Sequence, residues 1–266
     1  MKNILEKIID YKIGEVARAM KEMPASVLMK SPQLLRRPYS LKERIQKATV
    51  PAVIAEYKRR SPSKGVINDQ VSVEEVTGAY TKAGASSLSI LTDQHFFGGS
   101  LDDLKIARDN DVPILRKDFI IEEYQLLEAR AAGADVILLI AACLSAARVK
   151  QLAAYAKKLE LEVLLEIHTE EELDRLTDDI DLVGINNRNL KTFEVDIRHS
   201  IKLRSLLPKD RPAIAESGIS DVKVTNELYQ AGFKGFLIGE YFMKNADPGT
   251  AFSHYISELN ALQTGN

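Results

Sequence analysis

The chain has 266 residues, 45% hydrophobic and 28% charged, with a formal net charge of −2. This is ordinary globular composition, and a charge so close to zero argues against nucleic acid as the main partner. No apolar run approaches the roughly 18–20 residues of a membrane span, and a lone cysteine, Cys143, excludes an internal disulfide and fits a reducing cytoplasm.

The first 48 residues precede the first strand. Ile4, Leu5, Ile8, Ile9 and Ile13 recur at helical spacing with lysines and glutamates between them, and no secretory leader is expected from so polar an opening. Ser40-Leu41-Lys42-Glu43 starts a second, short helix. An N-terminal helical extension over 1–48 is therefore expected. It could cap the bottom of the following domain or form a flap over its active site.

Eight buried strands are predicted beyond it, beginning near Ala52, Ser87, Val112, Val136, Val163, Leu182, Ala213 and Phe236. Helical patterns alternate with them. Val73, Leu101 and Glu122 head three, Thr169-Glu170-Glu171-Glu172 reads as a capping-box start, and Ser220 begins another. Gly84, Gly133 and Gly232 each close a helix just before a strand and lie about 50 and about 100 residues apart, consistent with a βα unit of roughly 25 residues. Alternating β and α with nearly continuous apolar strands implies a parallel sheet. Eight units predict an α/β fold of the (β/α)8 barrel type, which typically needs roughly 250 residues, and so one barrel domain over 1–266. No Gly-x-Gly-x-x-Gly follows the first strand, which weakens a dinucleotide-binding reading.

The strands share one design: an apolar run that ends in charge. Ile54-Ala55 leads into Glu56 and Lys58, two residues apart and so on one face. Ile114-Leu115 leads into Arg116 and Lys117, and Leu164-Leu165 into Glu166. The sixth strand ends in Asn186-Asn187-Arg188 and the seventh in Glu216-Ser217-Gly218. Charge at the end of a core strand is costly unless it is used, and in a barrel these ends converge on the C-terminal rim where active sites lie. A lysine beside carboxylates stays charged and can donate protons, and a glutamate among apolar neighbours can have a raised pKa.

Ser217-Gly218 and Ile238-Gly239-Glu240 end strands seven and eight, where backbone N–H groups commonly hold a phosphate. The Glu240 carboxylate would repel a phosphate unless only its backbone faces the ligand. Phe96-Phe97-Gly98-Gly99 suggests an aromatic-binding wall, a mobile loop, or rings packed under the next helix. Lys64-Gly65 lies in a candidate lid. Cys143 reads as a core or rim residue, and His168 as part of a loop rather than of the mechanism. The four histidines, His95, His168, His199 and His254, lack metal-ligand spacing, so neither metal nor cofactor is expected.

These residues resemble a known family. Residues 54–63 (IAEYKRRSPS), 91–100 (LTDQHFFGGS), 113–120 (PILRKDFI), 184–190 (GINNRNL), 215–219 (AESGI) and 237–240 (LIGE) are similar, in order, to motifs of the indole-3-glycerol phosphate synthases. The resemblance implies a (β/α)8 barrel with an N-terminal extension and a cofactor-free carboxy-lyase of tryptophan biosynthesis. Its reaction closes the ring of 1-(2-carboxyphenylamino)-1-deoxyribulose 5-phosphate, releasing carbon dioxide and water. It implies Lys117 as the main general acid and Glu166 as the proton-transfer group of the dehydration. Lys58 would pair with the substrate's anionic groups, and Glu56 and Asn186 would orient Lys117, Glu166 and the sugar hydroxyls. Arg188 would lie near the carboxylate, with Glu216 and Phe97 also on the substrate. Ser217, Gly218, Gly239 and Glu240 would hold the phosphate, with Lys58 in reach. Beyond its phosphorylated small-molecule substrate no partner is expected: no nucleic acid and no membrane, with a monomer foreseen and a weak homodimer as the alternative. A phosphoribosylanthranilate isomerase-like barrel would need a cysteine near its first strand, which is absent. A non-catalytic phosphate-ligand-binding barrel would not need charge at five strand ends.

Overall fold

The computed structural model describes residues 2–189 and 194–264. Leu190, the last residue of one family-like motif, lies outside them. Eight parallel strands close into a barrel: β1 (Ala52–Tyr57), β2 (Ser87–Leu91), β3 (Ile114–Lys117), β4 (Val136–Ile140), β5 (Glu162–Ile167), β6 (Leu182–Asn186), β7 (Ala213–Glu216) and β8 (Gly235–Ile238). Each pairs with its chain neighbours, and β8 closes on β1 with Ala52 opposite Gly235 and Ala55 opposite Ile238. This is the (β/α)8 fold expected.

Strand alternation divides the apolar residues into two cores. Val53, Ala55 and Tyr57 point outward and pack with residues of the surrounding helices, such as Val76, Tyr80 and Leu104. Ala52, Ile54, Leu115, Val136, Leu138, Leu164, Leu182 and Ile214 point inward and fill the barrel. The same inward parity leads on to Glu56, Lys117, Glu166, Asn186 and Glu216 at the C-terminal ends. The polar cluster is thus the top layer of the inner core.

The helix ends follow ordinary capping chemistry. Ser72, Ser100 and Ser145 N-cap the helices Val73–Lys82, Leu101–Ala107 and Ala146–Lys158. Gly84, Gly133 and Gly232 adopt the left-handed conformation, with φ of +97°, +99° and +98°. Two starts differ from expectation. Asp221, not Ser220, caps Val222–Gln230, because its carboxylate accepts from the N–H groups of both Lys223 and Val224. The Thr169–Glu172 capping box forms, yet it opens only a 3-10 helix, Glu170–Arg175. Like charges at Glu170, Glu171 and Asp174 fall three or four residues apart there, and Leu173 is the single apolar residue of the segment.

The extension serves both ends of the barrel. Helix α1 (Ile4–Glu22) lies over the C-terminal mouth, where Ile4, Leu5 and Ile8 help line the cleft. The chain then descends along the helix Glu123–Ala132. Tyr124 Oη donates to the Met23 carbonyl at 2.8 Å, and the buried Arg130 guanidinium donates to the carbonyls of Gln33 and Arg36. Helix α2 (Leu41–Lys47), N-capped by Ser40, plugs the bottom with Leu41 and Ile45. Ile13, expected on the apolar face of α1, is instead 57% exposed, and Lys12 is fully buried.

Candidate active site

At the top of the barrel three buried carboxylates share the inner layer with two lysines. Lys58 Nζ lies 2.8 Å from Glu56 Oε1, whose other oxygen accepts from Ser89 Oγ at 3.2 Å. Lys117 Nζ donates to Glu166 Oε2 at 3.0 Å and to Glu216 Oε2 at 2.8 Å. Asn186 Nδ2 donates to Glu166 Oε1 at 3.2 Å, and Asn186 Oδ1 accepts from the Arg188 N–H at 3.0 Å. Adjacent strands make these contacts possible: Glu166 pairs in register with Gly184, and Asn186 with Glu216.

Burial would depress the Lys117 ammonium, but Glu166, Glu216 and Glu56 outweigh it and hold the group well above its ordinary range. Burial would likewise raise Glu166, yet Lys117 and His168 hold it below the usual carboxylate range. Glu216 goes the other way. Burial, reinforced by Glu166 and Glu56, pushes it up to about 7 against the pull of Lys117. The glutamate with a raised pKa is therefore Glu216, because Glu166 has two cations and Glu216 has one.

Gly184 makes room for that carboxylate, since a Cβ there would come within 2.0 Å of Glu216 Oε1. Gly184→Ala is expected to displace Glu216 from Lys117 and to lower kcat by roughly 10²-fold in a folded protein, the cost of about 1 Å of misplacement. Gly78→Ala, in a helix with nothing within 4 Å of the new Cβ, should leave kcat intact and stabilise by about 0.5–1 kcal/mol. Steady-state kinetics and thermal melts of both variants check the contrast.

The cleft around this cluster is elongated. One end is apolar, walled by Ile4, Leu5, Ile8, Phe97, Phe119 and Leu138. The other end shares Glu56, Lys58, Arg188 and Ser217 with the first and continues to Gly218, Gly239, Glu240 and Lys244. Ser217 and Gly218 both adopt the left-handed conformation, with φ of +65° and +66°. Asn187 Nδ2 holds the Ser217 carbonyl at 2.8 Å. Gly239 is required by close approach: a Cβ would meet Glu56 Oε1 at 2.6 Å. The Glu240 carboxylate faces this end too, 3.6 Å from Arg188 Nη2 and 3.8 Å from Lys64 Nζ. Two cations thus offset the repulsion that an anionic ligand would meet there.

The paired phenylalanines divide their roles. Phe97 lines the cleft, its ring 6.1 Å from Phe119, while Phe96 packs edge-on against Tyr11 of α1 at 5.7 Å. Lys64-Gly65 belongs to a small antiparallel ribbon, Arg60–Ser61 with Gly65–Val66. Cys143 ends a 3-10 turn after β4, half-buried as a rim residue.

Sequence reasoning missed two features. His168 follows β5, but its Nε2 lies 3.2 Å from Glu166 Oε1. The signal was parity, since Leu164, Glu166 and His168 are spaced by two. Lys12 is buried between Asp93 at 2.7 Å and Asp118 at 2.9 Å. Its signal was position, four residues from both Ile8 and Val16 on the apolar stripe. Among the described residues no group of three or more His, Cys, Asp or Glu side chains could hold a metal ion, and no helix is long and apolar enough to cross a membrane.

A (β/α)8 barrel whose mouth holds lysine and glutamate in direct contact, with apolar residues and cationic, glycine-bearing loops lining the same cleft, has the layout of an enzyme active site. Comparison with known proteins gives the family. Residues 5–254 match the family model of indole-3-glycerol phosphate synthase. The chain is 48% identical to the indole-3-glycerol phosphate synthase of Bacteroides thetaiotaomicron, covering 97% of this chain and 100% of that one. It is 46% identical to that of Polaromonas sp. JS666, covering 95% and 98%. Among solved structures, tryptophan synthase subunit alpha from Legionella pneumophila superimposes with a TM-score of 0.62 at 13% identity, covering 85% of this chain and 97% of that one, a likeness of fold alone. The chain belongs to the indole-3-glycerol phosphate synthase family, carboxy-lyases of tryptophan biosynthesis that act on a phosphorylated small molecule.

Proposed function

We propose that the cleft closes the indole ring by Lys117/Glu166 acid–base catalysis. The observation that carries this reading is Lys117 Nζ held within 3.0 Å of Glu166 and Glu216 at the centre of the cleft. The aromatic ring of 1-(2-carboxyphenylamino)-1-deoxyribulose 5-phosphate lies against Ile4, Leu5, Ile8, Phe97 and Phe119. Its phosphate lies at the loops of Ser217-Gly218 and Gly239-Glu240, with Lys58 and Arg188 pairing with the anionic groups. Lys117 protonates the ketose oxygen as the ring carbon bearing the carboxylate attacks the carbonyl carbon. Loss of carbon dioxide then restores the ring electrons. Glu166 takes a proton from the adjacent methylene and delivers it to the departing hydroxyl, which leaves as water, completing the indole. Glu56 and Asn186 orient these groups, and Glu216 holds Lys117.

The apolar wall and the cationic end lie at opposite ends of one cleft, which suits a ligand with an aromatic acid at one end and a phosphate at the other. A phosphoribosylanthranilate isomerase-like reading finds no support: Cys143 lies after β4, and β1 holds no cysteine. We also read the chain as one barrel domain with its extension, cytoplasmic and monomeric, in keeping with a free cysteine and a cleft walled by its own α1.

Glu166→Gln keeps the size of the side chain and one accepting oxygen but removes its proton exchange. Product fluorescence in this variant should fall by roughly 10²–10⁴-fold in kcat with KM little changed. Normal turnover would reduce Glu166 to a structural role.

A further inference from the structure

We infer that His168 is a positioning residue for the proton-transfer step: it bridges Glu166 to Glu172 and fixes the charge and aim of the Glu166 carboxylate. The inference rests on the reading of Glu166 as a proton-transfer group. Four observations support it. His168 Nε2 lies 3.2 Å from Glu166 Oε1, and Nδ1 lies 3.8 Å from Glu172 Oε2. The side chain is 11% exposed, so both ion-pair contacts are shielded from solvent. Glu172 also accepts from the His168 backbone N–H at 2.6 Å, and the His168 carbonyl lies 2.8 Å from His199 Nε2, so the backbone is clamped from both sides. Finally, Glu166 already has Lys117 and Asn186 on its remaining faces.

A ring with a carboxylate beside each nitrogen fits only one protonation state. Neutral imidazole has one donor and one lone pair, and the lone pair would have to face a carboxylate oxygen. The imidazolium puts positive charge beside both. Burial opposes that charge, but Glu166 and Glu172 outweigh it and hold His168 up at about 9. The cation is therefore complete below about pH 6.5, the ordinary histidine value, and fades as pH rises through about 9. Throughout the acid range it stabilises the ionised form of the carboxylate group around Lys117. Besides Lys117 and Glu216 on the Glu166 side, Cys143 lies near both carboxylates, and burial, Glu166 and Glu172 keep it as the neutral thiol.

The acid limb of kcat/KM reports the proton leaving the free enzyme's essential carboxylates as a coupled set. With His168→Gln the imidazolium is replaced by a neutral amide. The acid limb should move up by about one pH unit, the effect expected for loss of a neighbouring opposite charge, and the plateau should fall as the carboxylate loses its aim. His168→Lys restores a cation and should return the limb towards its original position. A limb that does not move in His168→Gln, or one that His168→Lys fails to restore, would overturn the inference. A purely structural histidine would lower the plateau alone and leave the limb in place. Proton NMR of the wild-type protein gives a second test that needs no folded variant at 168. The His168 ring, assigned by elimination with substitutions at His95, His199 and His254, should titrate well above pH 6.5, and a midpoint at or below it would overturn the inference. Glu166→Gln measured alongside separates the two readings. If it is fully active, the role of Glu166 fails. If it is inactive while the His168→Gln limb stays put, only the role of His168 fails.

Discussion

Lys117→Ala should lower kcat by roughly 10²–10⁴-fold, the range for one acid–base group, while KM changes little. The asymmetry follows from where the ammonium acts. Its proton is needed as negative charge develops on the ketose oxygen, in the transition state more than in the bound substrate. The surroundings keep the acid loaded: Glu166 and Glu216 lie within 3.0 Å of Nζ, and Glu56 adds a third negative field. Removing the cation also changes the carboxylates left behind. Glu166 keeps His168, but Glu216, buried beside Glu166, loses its cation and should retain a proton at neutral pH. Deprotonating it costs folding free energy, so the variant should lose stability relative to wild type as pH rises. Lys117→Arg separates the two functions of the residue. It keeps the positive charge, and with it the fold, but guanidinium does not give up its proton in this range, so activity should remain low. Product fluorescence against pH, with circular dichroism as the check on folding, gives both readouts. Near-wild-type kcat in a folded Lys117→Ala protein would rule Lys117 out as the acid.

The polar layer was legible because the barrel imposes a simple rule on its strands. A residue two positions beyond an inward apolar side chain also points inward, so Ile54 announces Glu56, Leu115 announces Lys117 and Leu164 announces Glu166. The glycines at 84, 133 and 232 were equally legible, since a left-handed helix end leaves few alternatives to glycine. What stayed hidden depended on contacts between distant segments. Glu166 and Glu216 end their strands in the same way, yet their pKa shifts are opposite because His168 lies beside only one of them. The extension offered two roles, bottom cap and flap, and it takes both. A 19-residue helix and a 7-residue helix, joined by a connector that holds the short helix Ala25–Leu28 and the 3-10 turn Pro32–Leu35, reach both ends of the barrel, which local periodicity does not reveal. The Thr169 segment carried the right start signal, but a cap governs how a helix begins and not how far it continues.

Lys12→Met tests whether α1 is part of the active site or merely lies over it. The Lys12 ammonium is fully buried and bridges Asp93, at the start of the loop after β2, to Asp118, the residue after Lys117. Burial disfavours the charge, but Asp118, Asp93 and Glu15 together hold it above its ordinary range. Asp118 keeps Arg116 and Thr92 when Lys12 is removed. Asp93 does not fare as well: its Oδ2 has no hydrogen-bond partner and pairs only with Lys12 among the described residues. Breaking a buried pair by removing one partner costs about 3–5 kcal/mol because a charge is left uncompensated. The chain has a cheaper way out, since α1 lies outside the closed barrel and can lift off without unfolding it. The expected result is therefore local: amides of α1 lose hydrogen-exchange protection while those of the barrel strands keep theirs. Detachment also removes Ile4, Leu5 and Ile8 from the cleft, and one apolar side chain contributes about 1.5–3 kcal/mol when fully buried. KM should rise roughly 10- to 100-fold, with a much smaller change in kcat because Lys117 is held by β3 and not by α1. The double variant Lys12→Met/Asp93→Asn neutralises the stranded carboxylate and should recover part of the protection and part of the KM. If Lys12→Met instead lowers kcat with KM unchanged and α1 still protected, the ion pair acts through Asp118 on its neighbour Lys117, and α1 is not the substrate wall.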